Sequence, residues 1–230
     1  MSITLVAVGN GGYNLASDIK NANLFTEAKL IVCDTDNQEL ANNAAQADAS
    51  FHLDEIREAK SNLTGLVENV ISQMTDTTFI CATLGGQTGS IYAPLIALAA
   101  ILKGKFVCSV FSMPFEFEGV RITKQAETAK MQLITASNFA IQQNNEMLKE
   151  IGDTGIVNMN KPIVEAIKTA ISGYSFIELA SANNNEIQEI IPENYRKQKE
   201  KPLIWFRSDC YCGISDKDRK EVFDSFYNFN

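Results

Sequence analysis

The sequence is poor in several features that mark common classes of protein. Among its 230 residues there is a single histidine, and the formal net charge is −8. An acidic chain lacks the positive surface that binds a phosphate backbone, so nucleic acid is not expected as a partner. No run approaches the roughly 18 to 20 apolar residues of a membrane-spanning helix, and no basic N-terminal region precedes an apolar core. We therefore expect a cytoplasmic protein without membrane insertion.

The cysteine pattern gives little support for a metal site. Cys33, Cys81 and Cys108 lie inside apolar runs, where a thiol behaves as a small buried hydrophobic group. Cys210 and Cys212 form a C-x-C pair, but no second Cys or His pair completes a zinc-binding set. We expect three buried thiols and no bound metal, and the role of the C-x-C pair stays open.

Short apolar runs alternate with longer segments of helical periodicity. The predicted buried strands are Ile3–Val8, Ala28–Cys33, Thr77–Thr83, Lys105–Phe111 and Asn138–Ile141. The predicted helices are Tyr13–Ala22, Asp54–Met74, Gly89–Leu102 and Gly119–Thr135, with two more between Asn144 and about Ala182. This alternation predicts an α/β fold, a doubly wound and mostly parallel sheet with helices on both faces.

Two glycine-rich segments directly follow predicted strands. They are GNGG, Gly9–Gly12, and ATLGGQTGS, Ala82–Ser90. Glycine lets a ligand approach the backbone, and the free amides at a helix start attract anions. Because ligands of doubly wound sheets bind at the carboxyl ends of the strands, the two segments predict a phosphate site there.

Neither segment fits the best-known phosphate-binding signatures. A P-loop ends in Gly-Lys-Ser/Thr, which both segments lack. Gly9 and Gly11 are not followed, at the required spacing, by the third glycine or alanine of a dinucleotide-binding fingerprint, although Asp34 lies near the position of the ribose-binding acid. An NAD-type oxidoreductase therefore remains an alternative, and no catalytic acid–base set supports it.

Five motifs together resemble one known family. VGNGGYN, VCDTDNQEL, ATLGGQTGSIYAPLIA, MPFEFEG and QNNEML occur in the order and at roughly the spacings of the nucleotide-binding domain of FtsZ, the bacterial relative of tubulin. The resemblance covers about Ile3 to Ser172. It implies a cytoplasmic, prokaryotic protein with a Rossmann-like fold that binds GTP or GDP, with Mg²⁺ accompanying the triphosphate.

The resemblance also implies which residues form the site. They are Gly9, Gly11, Gly12 and Asn14 in the first loop, Asp34, Thr35 and Asp36 in the second, Gly85, Gly86, Gln87, Thr88 and Gly89 in the signature loop, and Glu118, Arg121, Asn144 and Asn160 around the ribose and base. The signature-loop amides and the Thr88 hydroxyl would face the phosphates. Read singly, the aspartates could be turn formers and Thr88 and Asn144 helix caps.

Several of these positions depart from the family pattern. In the signature loop Gln87 and Ile91 replace glycines, and Gln87 fits such a turn only with a negative φ. The family arginine that follows the ribose-binding glutamate is Ile122 here, with Arg121 one place earlier, about 100° away around a helix. The guanine-reading aspartate has Asn160 as its nearest counterpart. These departures favour a second alternative, an interaction module that kept the fold and lost the nucleotide.

The chain beyond the resemblance predicts a different kind of segment. Residues 1–180 are predicted as the nucleotide-binding domain and 181–230 as a linker and C-terminal extension in place of the family's second domain. Leu203–Phe206 is predicted as a last strand, followed by a short terminal helix. We expect the apolar side chains of Trp205, Phe206, Phe223, Phe226 and Phe229 to pack on the domain or on another subunit.

The resemblance bears on hydrolysis and assembly as well. In FtsZ-like proteins the nucleotide lies between two subunits, and hydrolysis needs two aspartates supplied by the neighbour in an N-x-D-x-x-D segment. No such pair follows Ser172, where Glu178 and Glu186 are possible stand-ins. The resemblance therefore implies self-association or an FtsZ-like partner, with weak or no intrinsic hydrolysis.

Overall fold

The computed structural model describes residues 2–53, 63–146, 148, 159–173 and 203–206. Strands and helices alternate through them. The strands are β1 Ser2–Val8, β2 Glu27–Asp34, β3 Ala49–His52, β4 Thr77–Thr83, β5 Phe106–Met113, β6 Phe139–Asn144 and β7 Leu203–Phe206. The helices are α1 Gly9–Asn21, α2 Asn37–Ala44, α3 Leu63–Ser72, α4 Gln87–Leu102, α5 Val120–Thr135 and α6 Lys161–Gly173.

The strands form one sheet in the order β3-β2-β1-β4-β5-β6-β7. Neighbours from β3 to β6 are parallel, and β7 lies antiparallel to β6 at the edge. The chain winds outward from β1 in one direction and from β4 in the other, so the strand order reverses between these two neighbours. Ligands of doubly wound sheets bind in the crevice outside such a reversal, at the carboxyl ends of the strands.

Each face of the sheet carries its own apolar core because successive strand residues point to opposite faces. Leu5 belongs to the core under α1 and α6, whereas Val6 belongs to the core under α3, α4 and α5. Helix α4 is buried along most of its length, between the sheet and its neighbours α3 and α5. Continuous apolar strands and an apolar central helix are what a sheet covered on both faces requires. None of the described helices is long and apolar enough to cross a bilayer.

The fold predicted from sequence is confirmed. Each predicted strand is present within two or three residues of its predicted bounds, and Leu203–Phe206 is the antiparallel edge strand. Two elements were not predicted, the short helix α2 and the four-residue strand β3. Helix α3 covers the second half of the predicted helix Asp54–Met74, and residues 54–62 lie outside the described part of the chain.

The cysteine prediction is confirmed for three of the five thiols. Cys33, Cys81 and Cys108 are free and fully buried, and burial raises the pKa of each thiol far above its usual range. Thiols that stay protonated are poor nucleophiles and poor metal ligands. Cys210 and Cys212 lie outside the described residues, as do the predicted terminal helix and its phenylalanines.

Candidate functional site

The two glycine-rich segments meet at the point where the strand order reverses. The first follows β1 and opens α1, and the second follows β4 and opens α4. A β-carbon built on Gly9 would lie 3.4 Å from Thr88 Cβ, so the first residue of α1 lies against the first turn of α4. Sequence reasoning predicted a shared site for these segments, and the fold places them side by side.

Hydrogen bonds to α4 and to β5 hold the signature loop between β4 and α4. The Gly85 amide donates to Ser90 Oγ at 2.8 Å, and the Leu84 amide donates to the Ser112 carbonyl of β5 at 2.9 Å. Gly85 has φ +106°, a conformation that a side chain would strain. The Gly85 amide therefore serves the loop itself and is not available to a ligand.

Four successive amides at the start of α4 precede its first intrahelical bond. That bond runs from the Ser90 amide to the Gly86 carbonyl, at 3.3 Å. The amides of Gly86, Gln87, Thr88 and Gly89 therefore have no acceptor within the helix. Gln87 has a negative φ and occupies the first helical position without strain. Such a helix start carries a partial positive charge and suits a phosphate.

A hydroxyl and carboxylate cluster borders these amides. Thr35 Oγ1 lies 2.6 Å from Thr88 Oγ1, and Thr88 Oγ1 lies 3.5 Å from Asp34 Oδ1. Asp34 is 4% exposed and accepts the Asp36 amide at 3.1 Å. The side chain of Asp36 caps α2 by accepting from the Gln38 and Glu39 amides. Asp36 is thus a helix cap in this structure, while Asp34, Thr35 and Thr88 face one another.

Close packing of α1 and α4 against β4 leaves no room for a side chain at Gly11, Gly12 and Gly89. β-Carbons built on Gly12 and Gly89 would overlap the backbone carbonyls of Cys81 and Thr83, and one on Gly11 would overlap the Thr83 side chain. Helices α1 and α4 therefore both begin against the last residues of β4. This packing brings the two helix starts together at the reversal point. Asn14 lies one turn into α1 and is exposed.

The carboxyl ends of β5 and β6 add acidic and amide groups to the same edge. Glu118 ends a short 3-10 helix, Glu116–Glu118, and its Oε1 accepts the Phe115 amide at 2.8 Å. Asn144 ends β6, and its Oδ1 accepts the Glu146 amide at 3.1 Å. Glu146 in turn accepts from the Glu116 amide, which ties the two loops together.

The residues just before α6 contact α1 and β6 at the same edge of the sheet. Asn160 Nδ2 donates to Asp18 Oδ2 of α1 at 2.7 Å, and Gln143 Nε2 of β6 donates to the Met159 carbonyl at 2.7 Å. Gln143 is 3% exposed, and its Oε1 has no partner among the described residues. The sequence pointed to Asn160 but not to Gln143, which opens the QNNEML motif, because its bond to the Met159 carbonyl appears only in the folded chain.

The first turns of α5 contact the signature loop through residues that were not predicted. Ile122 Cγ2 lies 2.5 Å from the place where a β-carbon on Gly85 would be, and Gln125 Nε2 donates to the Gly86 carbonyl at 3.3 Å. Arg121, the predicted substitute for the family arginine, is exposed. Ile122 therefore covers the loop with an apolar side chain at the position where the family pattern has a cation.

The described residues hold no cluster of three or more His, Cys, Asp or Glu side chains that could bind a metal alone. Asp34 with the two threonine hydroxyls offers hard oxygen ligands instead. Mg²⁺ in nucleotide sites is usually held by one or two carboxylates together with the phosphates. The groups present therefore fit a metal that arrives with a phosphate ligand.

Fold and site together define the class: a doubly wound α/β domain whose ligand crevice is lined by two helix starts and a hydroxyl cluster. The comparisons then define the family. Residues 2–153 match the model for the Tubulin/FtsZ family, GTPase domain. The chain belongs to the Tubulin/FtsZ family, which confirms the resemblance seen in the sequence.

Individual relatives support this assignment. The cell division protein FtsZ of Bartonella bacilliformis is 31% identical over 164 residues, 66% of this chain and 27% of the relative. The cell division protein FtsZ 1 of Pyrococcus furiosus is 26% identical over 212 residues, 83% of this chain and 55% of the relative. This chain thus spans at most about half the length of these two relatives.

Solved structures agree with the fold. An empty FtsZ dimer from M. jannaschii matches with a TM-score of 0.60 and 26% identity, covering 77% of this chain and 54% of that one. A CetZ from Methanosaeta thermophila matches with a TM-score of 0.62 and 18% identity, covering 83% of this chain and 58% of that one. The second likeness concerns the fold alone.

Proposed function

We propose that this chain binds GTP or GDP at the reversal point of its sheet. The single observation that carries the proposal is the row of free amides at the start of α4, beside the Thr88 hydroxyl and opposite the first glycine loop. Membership of a family described by its GTPase domain supports the guanine nucleotide. The amides of Gly86, Gln87, Thr88 and Gly89 would bind the phosphates, with Gly9, Gly11, Gly12 and Asn14 lining the opposite wall.

The remaining predicted residues keep the roles that the resemblance implies. Glu118, Asn144 and Asn160 would contact the ribose and base, and Arg121 would reach the nucleotide only from an exposed position. Asp34 stands 3.5 Å from Thr88 Oγ1, where its charge would repel a bare phosphate. Asp34 and the hydroxyls of Thr35 and Thr88 would hold the Mg²⁺ that accompanies the triphosphate. The metal would supply charge neutralisation on the phosphate oxygens.

Isothermal titration of the nucleotide-free protein with GTP, GDP, ATP and NAD tests the proposal. We expect GTP and GDP to bind, and GTP to bind more tightly when Mg²⁺ is present. Binding of NAD alone would indicate the oxidoreductase alternative. Absence of binding at millimolar GTP would leave the interaction module, which the apolar Ile122 over Gly85 favours.

We also propose self-association, or association with an FtsZ-like partner, in a prokaryotic cytoplasm. Phe117, between β5 and α5, and Val120, the first residue of α5, are 74% and 71% exposed at the same edge as the candidate site. Large exposed apolar side chains near one another favour a protein contact. Sedimentation velocity with and without GTP tests self-association, and a monomer at every concentration in both conditions would leave only association with an FtsZ-like partner.

We also propose that this chain by itself hydrolyses GTP only slowly. Positioning of the attacking water contributes much of the rate of phosphoryl transfer, and the sequence after Ser172 lacks the aspartate pair that does this in the family. Glu178 and Glu186 lie outside the described residues. Phosphate release measured across a wide range of protein concentration should stay slow. A rate that climbs with concentration and collapses in Glu178→Ala or Glu186→Ala would contradict the proposal.

A further inference from the structure

A side chain from α5 holds the peptide that begins α4. The Gly86 carbonyl oxygen accepts two hydrogen bonds, from the Ser90 amide at 3.3 Å and from Gln125 Nε2 at 3.3 Å. Gln125 lies 39 residues further along the chain, so this bond is a tertiary contact between two elements. It acts on the residue that caps α4, where the free amides start.

Peptide geometry links this contact to the next amide. In a trans peptide the carbonyl of one residue and the amide of the following residue point in opposite directions, and the described residues contain no cis peptide. Because the Gly86 carbonyl faces Ser90 and Gln125, the Gln87 amide faces away from the helix, toward the crevice. Hydrogen bonds to a carbonyl also polarise its peptide and strengthen the attached amide as a donor.

The peptide has little else to fix it. Among the described residues, no atom beyond its chain neighbours lies within 4 Å of the position that a β-carbon on Gly86 would occupy, so side-chain packing from this part of the structure does not restrain this glycine. Its predecessor Gly85 is fixed by its bond to Ser90 Oγ and by contact with Ile122. Gln125 is therefore the side chain that restrains the Gly86–Gln87 peptide from outside α4.

We propose that Gln125 is a positioning residue for phosphate binding, which orients the Gly86–Gln87 peptide so that the Gln87 amide donates to a phosphate oxygen. The inference rests on the proposed function, since it needs a phosphate ligand at the start of α4. Gln125 itself does not contact the ligand. Its role should therefore appear in the phosphate-dependent part of affinity and not in the part contributed by the nucleoside.

Titrations with GDP and with guanosine separate these parts. In Gln125→Ala we expect GDP affinity to fall about three- to tenfold, the range for one net hydrogen bond, while guanosine affinity measured by competition is unchanged. Gln125→Glu should weaken GDP further, because its carboxylate cannot donate to the Gly86 carbonyl and adds negative charge near the phosphates. Thr128→Ala is the matched control, since Thr128 is exposed on the same helix and bonds only the Lys124 carbonyl.

The outcomes separate this assignment from the function on which it rests. GDP affinity in Gln125→Ala equal to that of the unaltered protein would overturn the positioning role and leave the proposed function standing. Equal losses for GDP and guanosine, or an equal loss in Thr128→Ala, would show a general structural effect and overturn the role as well. No GDP binding by the unaltered protein would overturn the proposed function and this assignment with it.

Discussion

Thr88 is the residue whose side chain bears most directly on the proposed phosphate site. Its hydroxyl lies 2.6 Å from Thr35 Oγ1, next to the free amides of α4. Thr88→Ala removes one donor to a charged phosphate, which costs about 1.5 to 3 kcal/mol or roughly ten- to a hundredfold in GDP affinity. Thr88→Ser keeps the hydroxyl and should bind nearly as well as the unaltered protein. Titration calorimetry on both variants measures this, and equal affinities for Ala and Ser would contradict the role.

The carboxylate of Asp48 should make the stability of the fold depend on pH. Its Oδ2 accepts the amide of buried Leu30 at 2.7 Å, and this bond, helped by Lys20 at 3.4 Å, lowers the pKa of the carboxyl. A lowered pKa stabilises the fold above the ordinary pKa of aspartate, and the stabilisation is lost as pH falls through the folded-state pKa. Asp48→Ala should therefore destabilise by about 1 kcal/mol at pH 7, with a smaller difference in acid.

Urea unfolding at neutral and acidic pH measures the effect of Asp48. Asp76→Ala is the control, because Asp76 pairs with Lys105 from a fully exposed side chain and such pairs contribute little. A loss for Asp48→Ala that is the same at both pH values would show that the charge of Asp48 does not matter.

The residues that could be selected from sequence are those that belong to motifs. Thr88 and Asp34 follow strands in recognisable segments, and the fold places them together. Gln125 could not be selected, because its contact with the Gly86 carbonyl joins elements far apart in the chain. Ser90 and Gln143 stand within the quoted motifs, but their bonds to the Gly85 amide and the Met159 carbonyl appear only in the folded chain. Tertiary contacts of single polar side chains leave no local pattern.

At the level of elements, the start of α1 depends on close approach to β4. A β-carbon at Gly12 would overlap the Cys81 carbonyl, whereas one at Gly65 in α3 meets nothing within 4 Å. Gly12→Ala should therefore destabilise by about 1 to 3 kcal/mol through overpacking. Gly65→Ala should stabilise by about 0.5 to 1 kcal/mol, because alanine favours helix over glycine. Thermal unfolding of both variants tests this, and a stabilised Gly12→Ala would refute the packing.

The two elements missed from sequence show where local patterns are insufficient. Helix α2 has eight mostly polar residues, NQELANNA, so its apolar periodicity is weak. Strand β3 has four residues and forms through pairing with β2 at the sheet edge. Strand β4 was predicted to the residue, because burial on both faces makes it a continuous apolar run.

In the whole molecule, the sheet ends with β7, a strand that comes from the part of the chain beyond residue 180. It pairs antiparallel with β6 from Phe139 to Gln142. A chain ending after Ala182 loses this strand and leaves the edge of β6 unpaired, whereas a chain ending after Phe206 keeps it. We expect a lower melting temperature for the shorter chain than for the longer one. Equal melting temperatures would show that β7 contributes nothing to stability.

The central claim is that nucleotide phosphates bind at the start of α4, and a crystal structure of the protein with GDP tests it most directly. We expect phosphate oxygens at hydrogen-bond distance, about 2.7 to 3.2 Å, from the amides of Gln87, Thr88 and Gly89. We also expect the Gly86 carbonyl to remain bonded to Gln125. GDP bound with its phosphates away from α4 would show that the start of α4 is not the phosphate site.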